Sequence, residues 1–246
     1  MLSANNLKTL IYNMGKKRLV VLTGAGISAE SGIKTFRDED GLWEGHDVMQ
    51  VASPEGFRRN PELVHEFYNL RRKQLLTVEP NAAHHYLAEL EKDFHVQIVT
   101  QNVDDLHERA GSSQVLHLHG ELLKIQSLQD PQIVIPWTKN LNVDYRDENN
   151  HSYRPFIVWF GEAVPLLEDA VRLCEMADIC IVIGTSLQVY PAAALLDYCS
   201  SATPIFYVDP RPSSTHQFTN HHQITVLPHK AGDAVPLLRE KLASFI

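Results

Sequence analysis

Residues 18–28, RLVVLTGAGIS, constrain the possible folds more than any other stretch of the chain. Leu19, Val20, Val21 and Leu22 make a short apolar run suited to a strand covered on both faces, as in a parallel sheet. The run enters Thr23-Gly24-Ala25-Gly26, where missing Cβ atoms let the backbone turn sharply and approach a ligand. Ser28 is placed to cap the helix that follows, whose free amides and dipole suit a pyrophosphate. Strand, glycine turn and helix start, in that order, read as a dinucleotide-binding unit. The third glycine of the usual fingerprint is missing at its spacing, since Gly32 comes too late. On this fragment alone, a tight turn with no ligand stays open.

Further strands are expected over Val96–Gln101, Ile179–Gly184, Ile205–Asp209 and Ile224–Leu227, all short and rich in β-branched residues. Helical patterns at Pro61–Val78, Ala82–Lys92, Leu166–Met176, Pro191–Cys199 and Asp233–Ala243 alternate with them. The alternation predicts an α/β fold built on a Rossmann-like, doubly wound parallel sheet. Two stretches break it, a helical excursion after Gly45 and a polar, helix-poor one from Glu121 to Phe156. They predict a small inserted domain of residues 45–78 and 121–159. The nucleotide-binding domain would then comprise 1–44, 79–120 and 160–246, with the site in the cleft between the two. Asp144–Asn150 is the expected flexible loop.

A formal net charge of −8 over 246 residues argues against direct nucleic-acid binding, which needs a basic surface. No apolar run reaches the roughly 18 residues needed to span a bilayer. Lys8, Lys16 and Lys17, with no acidic residue before Glu30, faintly suggest a transit peptide. The helical spacing of Leu7, Leu10, Ile11 and Met14 favours an amphipathic helix instead, and a cytoplasmic monomer is expected. Cys174, Cys180 and Cys199 lie in apolar patterns and read as buried, reduced core thiols.

Several polar groups sit where strands should end. Asn102 and Asp104 offer an amide and a carboxylate suited to a carboxamide or ribose, although an Asx turn opening the next helix explains them equally well. His119, followed by Gly120, can act as a neutral imidazole base near pH 7, whereas His117 alternates with it and should face away. Val158-Trp159-Phe160 reads as an apolar, aromatic strand or as ordinary core. Tyr68 and Arg71 share a helix face and could grip a carboxylate. Spacing alone favours packing for Tyr68 and a solvated face for Arg71-Arg72-Lys73.

The longer string Gly24-Ala25-Gly26-Ile27-Ser28, Glu30-Ser31-Gly32-Ile33, Phe36-Arg37 and Asp40-Gly41-Leu42-Trp43 resembles the signature of the sirtuins, NAD-dependent protein-lysine deacylases. Gln101 through Gly111 resembles the second sirtuin motif, His119-Gly120 the catalytic one, and Gly184-Thr185-Ser186 the third nucleotide segment. The resemblance implies NAD contacts at Gly24, Ala25, Gly26, Ser28, Gln101, Asn102, Asp104, Gly184, Thr185, Ser186, Asp209 and Ala231. At Asp209 many sirtuins carry Asn. It also implies a mobile cover over NAD from Ala25, Phe36, Arg37 and Trp43, and an acyl-lysine channel at Val158, Phe160 and Gly161. Phe67-Tyr68-Asn69-Leu70-Arg71 and Thr35-Phe36-Arg37 resemble the class III, desuccinylase-type branch, in which Tyr68 and Arg71 would read a succinyl or malonyl carboxylate.

One departure is large. Most sirtuins hold the small domain with zinc on four cysteines, and residues 121–158 contain no cysteine. No zinc is therefore expected. The lobe would rest on Ile133, Val134, Ile135 and Trp137. Acyl-lysine proteins are the implied substrates, with nicotinamide and O-acyl-ADP-ribose as products. An NAD glycohydrolase or ADP-ribosyltransferase on the same fold, or a non-catalytic NAD- or acyl-lysine-binding module, remain as alternatives. A hydride-transferring dehydrogenase is called for by nothing beyond the glycine turn.

Overall fold

The structure, a computed structural model, describes residues 15–34, 42–43, 45–212 and 218–246. The expected helix over Leu7–Met14 lies outside those residues. So do Thr35, Phe36, Arg37 and the side chain of Trp43.

In chain order the strands are β1 (Arg18–Thr23), β2 (Leu42–Trp43), β3 (His46–Asp47), β4 (His95–Thr100), β5 (Val115–His117), β6 (Gly120–Ser127), β7 (Val134–Pro136), β8 (Tyr153–Ile157), β9 (Ile179–Ile183), β10 (Ile205–Val208) and β11 (Ile224–Leu227). The α-helices are α1 (Val48–Val51), α2 (Pro54–Arg59), α3 (Pro61–Leu75), α4 (Ala82–Glu89), α5 (Leu106–Arg109), α6 (Leu167–Glu175) and α7 (Val235–Leu242).

Six parallel strands form the main sheet in the order β11-β10-β9-β1-β4-β5. The chain starts at the central strand, builds outward through β4 and β5, then returns to the other side through β9, β10 and β11. The order therefore reverses between β1 and β9, the place where such sheets leave a crevice at their carboxyl ends. Residues of β1 alternate between two cores. Leu19 and Val21 pack with Leu87 of α4 and Leu238 of α7. Val20 and Leu22 pack on the opposite face with Ala170 and Cys174 of α6 and with Leu195 and Leu196. This period of two explains why β1 reads as one unbroken apolar run, since each face meets its own layer of helices.

Residues 192–198, expected as part of an α-helix, form a 3₁₀ segment instead. The three cysteines are free, buried and part of the same core face. No described helix is long and apolar enough to cross a membrane.

Both excursions meet in one further core. Val51 of α1, Val64, Phe67 and Tyr68 of α3, Leu122 of β6 and Trp159 after β8 are buried together. Strand β6 pairs antiparallel with β7 and β8, so the polar excursion is a small three-stranded sheet. Its buried centre is Ile125, Leu141 and Tyr153, while Ile133, Ile135 and Trp137 only flank it. The expected anchors thus lie at the edge of the cluster, because β7 is an outer strand with one partner. Among the described residues no group of three or more His, Cys, Asp or Glu could hold a metal ion. The loop expected to be flexible at 144–150 is closed by Asp147. Its carboxylate accepts from the Tyr153 hydroxyl at 3.0 Å and from the amides of Asn149 and His151 at 3.0 and 2.8 Å.

Candidate active site

The glycines at the ends of β1 and β9 are required first by each other. Gly24 N–H donates to Ile183 O at 3.3 Å, and Gly26 N–H to Gly184 O at 2.8 Å. A Cβ on Gly24 would stand 2.7 Å from Thr185 Cβ, and one on Gly26 would stand 2.8 Å from Gly184 Cα. Gly184 itself has φ +67°, open to glycine at little cost. The two strand ends are therefore pressed backbone to backbone at the point where strand order reverses.

The segment after the turn is not the expected α-helix. It is two 3₁₀ turns, Ala25–Ile27 and Ala29–Ser31, with Ser28 between them in the right-handed helical region. Ser28 makes no capping bond through its side chain. Its hydroxyl is drawn into a buried polar network, donating to Asp104 Oδ2 at 2.9 Å and accepting from Asn102 Nδ2 at 3.1 Å. His84 Nε2 lies 3.5 Å away, and His84 Nδ1 accepts the amide of Asn81, the N-cap of α4. With Nδ1 accepting, the neutral ring carries its proton on Nε2 and points it at Ser28. Burial pushes the His84 pKa down to about 4, so it is neutral at pH 7.

Sequence reading passes over His84. The Asn81 to His84 capping spacing marks it, but its contact with Ser28 is tertiary. Burial raises the Asp104 pKa above the usual carboxylate value, partly offset by the bonds from Ser28 and from the Leu106 amide. Beneath this network His107 Nε2 contacts Thr23 Oγ1 at 3.1 Å.

His117 and His119 have opposite surroundings. His117 is buried, donating from Nδ1 to Asn102 O at 3.0 Å and meeting Glu108 Oε1 through Nε2 at 2.7 Å. Burial opposes its charge, but the bond and charge of Glu108 outweigh it and the pKa rises. His117 is thus an ion-paired brace for the Asn102 loop. His119 is half-buried and donates from Nδ1 to Gln101 O at 3.0 Å. Burial lowers its pKa, the Gln101 bond acting the other way, so a neutral ring keeps Nε2 as a lone-pair acceptor. The two rings take their partners from consecutive carbonyls, Gln101 and Asn102, at the end of β4. Gly120, with φ +82°, brings its backbone close against Phe156 rather than opening space for a ligand.

Other expected residues distribute around the same strand ends. Gln101 Nε2 donates to Thr185 Oγ1 at 3.1 Å, linking the loops after β4 and β9. Ser186 follows Thr185, and the next residue, Leu187, is buried with φ +53°. Asp209 is buried after β10 and accepts from the Arg211 amide at 2.8 Å. Ala231 packs in the core rather than lining an open surface. Its neighbour Gly232 donates to Glu30 Oε2 at 2.7 Å, which brings the last loop back to the first.

Tyr68 is fully buried, and its hydroxyl accepts from Trp159 Nε1 at 3.0 Å. The Arg71 guanidinium stacks 3.9 Å from the Phe67 ring centre. Arg72, read from spacing as solvated, is instead 1% exposed. Val158-Trp159-Phe160 is not a strand, because β8 ends at Ile157. The Val158 amide donates to His119 O and that of Phe160 to Ala52 O, both at 2.9 Å. Trp159 is the core residue of the three, while Phe160 and Gly161 are exposed. A hollow of about 380 Å³ between α3 and residues 140–143 includes none of these expected site residues.

The model of the Sir2 family matches residues 24–191, from the glycine turn through the small sheet to the loop after β9. The chain belongs to the Sir2 family. Within it, the chain is 56% identical over 225 residues to an NAD-dependent protein deacylase of Helicobacter pylori, covering 91% of this chain and 98% of that one. A Bacteroides thetaiotaomicron protein of the same description is 53% identical over 232 residues, covering 92% and 98%. The crystal structure of a Sir2 homolog–NAD complex superposes with TM-score 0.81 at 36% identity, covering 98% of this chain and 95% of that one. The described residues share the Sir2 fold, and the glycine turn coincides with the strand-order reversal.

Proposed function

We propose that this chain, an NAD-dependent protein deacylase, removes acetyl and also succinyl or malonyl groups from protein lysines, giving nicotinamide and O-acyl-ADP-ribose. The carrying observation is the state of His119, a neutral imidazole with one nitrogen committed to Gln101 O and the other left as a base. Its role would be to take a proton from a ribose hydroxyl. When bound, NAD supplies an electrophilic ribose carbon with nicotinamide as the leaving group.

The residues around the strand ends fit such a cofactor. Gly24 and Gly26 offer backbone without side chains, and Asn102 and Asp104 are buried polar groups held by Ser28. Ala25, Gln101, Gly184, Thr185, Ser186, Asp209 and Ala231 complete the proposed NAD contacts. Phe36, Arg37 and Trp43 are proposed to cover the cofactor and exclude water. Trp159 holds the Tyr68 hydroxyl, which with Arg71 would meet the acyl carboxylate. Val158 and Phe160 already use their amides internally, so an acyl-lysine peptide would be held by their carbonyls, the exposed Phe160 ring and Gly161. We read the enzyme as a cytoplasmic monomer that needs no zinc and binds no nucleic acid.

The test is to mix the purified protein, without added metal, with NAD and matched acetyl- and succinyl-lysine peptides, and to follow both by mass spectrometry. NAD-dependent loss of both acyl groups is expected. Nicotinamide release without peptide would favour the glycohydrolase, and no release from a folded protein would favour a binding module.

A further inference from the structure

One turn of α3 carries two pairs of residues with different neighbours. Tyr68 and Arg71 lie beside Trp159 and Phe67. Asn69 and Arg72, one position on, are bonded to β6 and to the segment after β7. The Asn69 amide grips Leu141 as a strand would, accepting its N–H at 2.8 Å and donating to its carbonyl at 3.0 Å. Arg72 donates from Nε to Leu122 O at 3.1 Å, and from Nη1 to Asn69 Oδ1 at 2.8 Å and Lys139 O at 3.3 Å. Three backbone positions of the lobe are therefore tied to a single helical turn.

The chemistry of Arg72 is unusual for a purely structural residue. Its charge is buried, burial pushes its pKa down to about 10, and the Leu122, Asn69 and Lys139 oxygens it donates to are all neutral. A buried charge is an expensive way to gain stability, and well-packed apolar side chains commonly do as well. What a rigid guanidinium fork supplies is geometry, because it fixes several acceptors at once.

We propose that Asn69 and Arg72 are positioning residues for acyl-group selection, locking α3 to the small sheet so that Tyr68 and Arg71 meet the acyl carboxylate in register. This rests on the reading of Tyr68 and Arg71 as the carboxylate pair. An acetyl group reaches neither side chain with a charge, so its binding is insensitive to small shifts of the turn. A carboxylate held by a bidentate fork is sensitive to shifts of about an ångström.

The experiment measures kcat and KM for matched succinyl- and acetyl-lysine peptides in wild type, Asn69→Leu, Asn69→Asp, Arg72→Lys and Arg71→Met. Asn69→Leu is expected to raise the succinyl KM about tenfold, with kcat and the acetyl KM within about twofold of wild type. Asn69→Asp keeps the acceptor for Leu141 N–H and Arg72 but sets an oxygen against Leu141 O where the amide donates, so its succinyl-to-acetyl KM ratio should fall between those of wild type and Asn69→Leu. Arg72→Lys keeps the charge but puts a methylene where Nε donates to Leu122 O and gathers its donors on one nitrogen, and should lose the wild-type ratio as Asn69→Leu does. It carries the same test if Asn69→Leu fails to fold. Equal losses on both peptides, or no loss, in Asn69→Leu and Arg72→Lys would overturn the proposal. If Arg71→Met is also indifferent to the acyl group, the carboxylate reading falls and takes the proposal with it. A selective loss in Arg71→Met alone overturns only the positioning.

Discussion

Ser28 Oγ donates to Asp104 Oδ2 across 2.9 Å, joining the turn after β1 to the loop after β4. The same hydroxyl accepts from Asn102 and faces His84, so one small side chain organises three others. Ser28→Ala removes this hub and leaves a buried carboxylate short of a donor. A loss of about 1–3 kcal/mol is expected in urea unfolding, together with weaker NAD binding. An unchanged urea midpoint would mean that water restores the bond.

His119→Tyr is expected to abolish NAD-dependent deacylation while leaving the thermal midpoint within a few degrees of wild type. Appreciable turnover by the folded variant would remove His119 as the base. In wild type, protonating the ring destroys the base, so kcat/KM should fall as pH drops. Because burial lowers the His119 pKa, that acid limb should lie below the ordinary value of 6.5.

Glu108 and His117 predict a pH window for stability. The His117 pKa is raised when folded, so its contribution is full below 6.5 and is lost as pH rises through the folded value. The Glu108 pKa is lowered, though burial acts against the shift, so its contribution is full above 4.5 and lost as pH falls through the folded value. The pair thus stabilises most between the two. Glu108→Gln should cost more stability at pH 5.5 than at pH 9 in denaturant titrations, and equal costs would show that the pair carries no charge.

Gly184→Ala places a Cβ against the backbone of Gly26 and Ile27 at φ +67°, with no flexible side chain to yield. The expected cost exceeds about 3 kcal/mol, because steric conflict adds to left-handed strain. Gly111→Ala is the control. Its φ is +104° but its Cβ would meet only Ala88 Cβ at 3.9 Å, so strain of about 1–2 kcal/mol is expected alone. Similar melting shifts for the two would show that packing between the strand ends is loose.

Arg71→Met is expected to weaken desuccinylation at least tenfold more than deacetylation, since a charge-assisted bond to the acyl group is worth about 1.5–3 kcal/mol. Equal losses on matched peptides would leave Arg71 with a packing role only.

The main sheet is legible because each of its longer strands is an apolar run that needs no neighbour to be recognised. β5 escapes because it has three residues at the sheet edge, two of them only half-buried. The small sheet escapes because its strands carry Lys124, Gln126 and Arg154 among the apolar residues, and β6 opens at a glycine. Residue types and spacing leave Asn102 and Asp104 open to an Asx turn, and only the resemblance to the sirtuin motifs singles them out together with His119. Neither reveals that Ser28 bonds to Asp104 instead of capping a helix, because that choice depends on where β4 ends relative to β1. Arg72 is misread for a related reason. Within Arg71-Arg72-Lys73 nothing local distinguishes the buried cation from the exposed one, and the carbonyls that receive it come from residues 122 and 139.

The placement of the cysteines also bears on how this enzyme can be handled. Cys174 and Cys180 are fully covered and Cys199 is 5% exposed, so no native thiol stands on the surface. A cysteine introduced at an exposed site such as Lys73 would be the one that a maleimide dye finds. A dye there would sit at the hollow between α3 and residues 140–143 and report the motion of one against the other, with no need to strip the native thiols first.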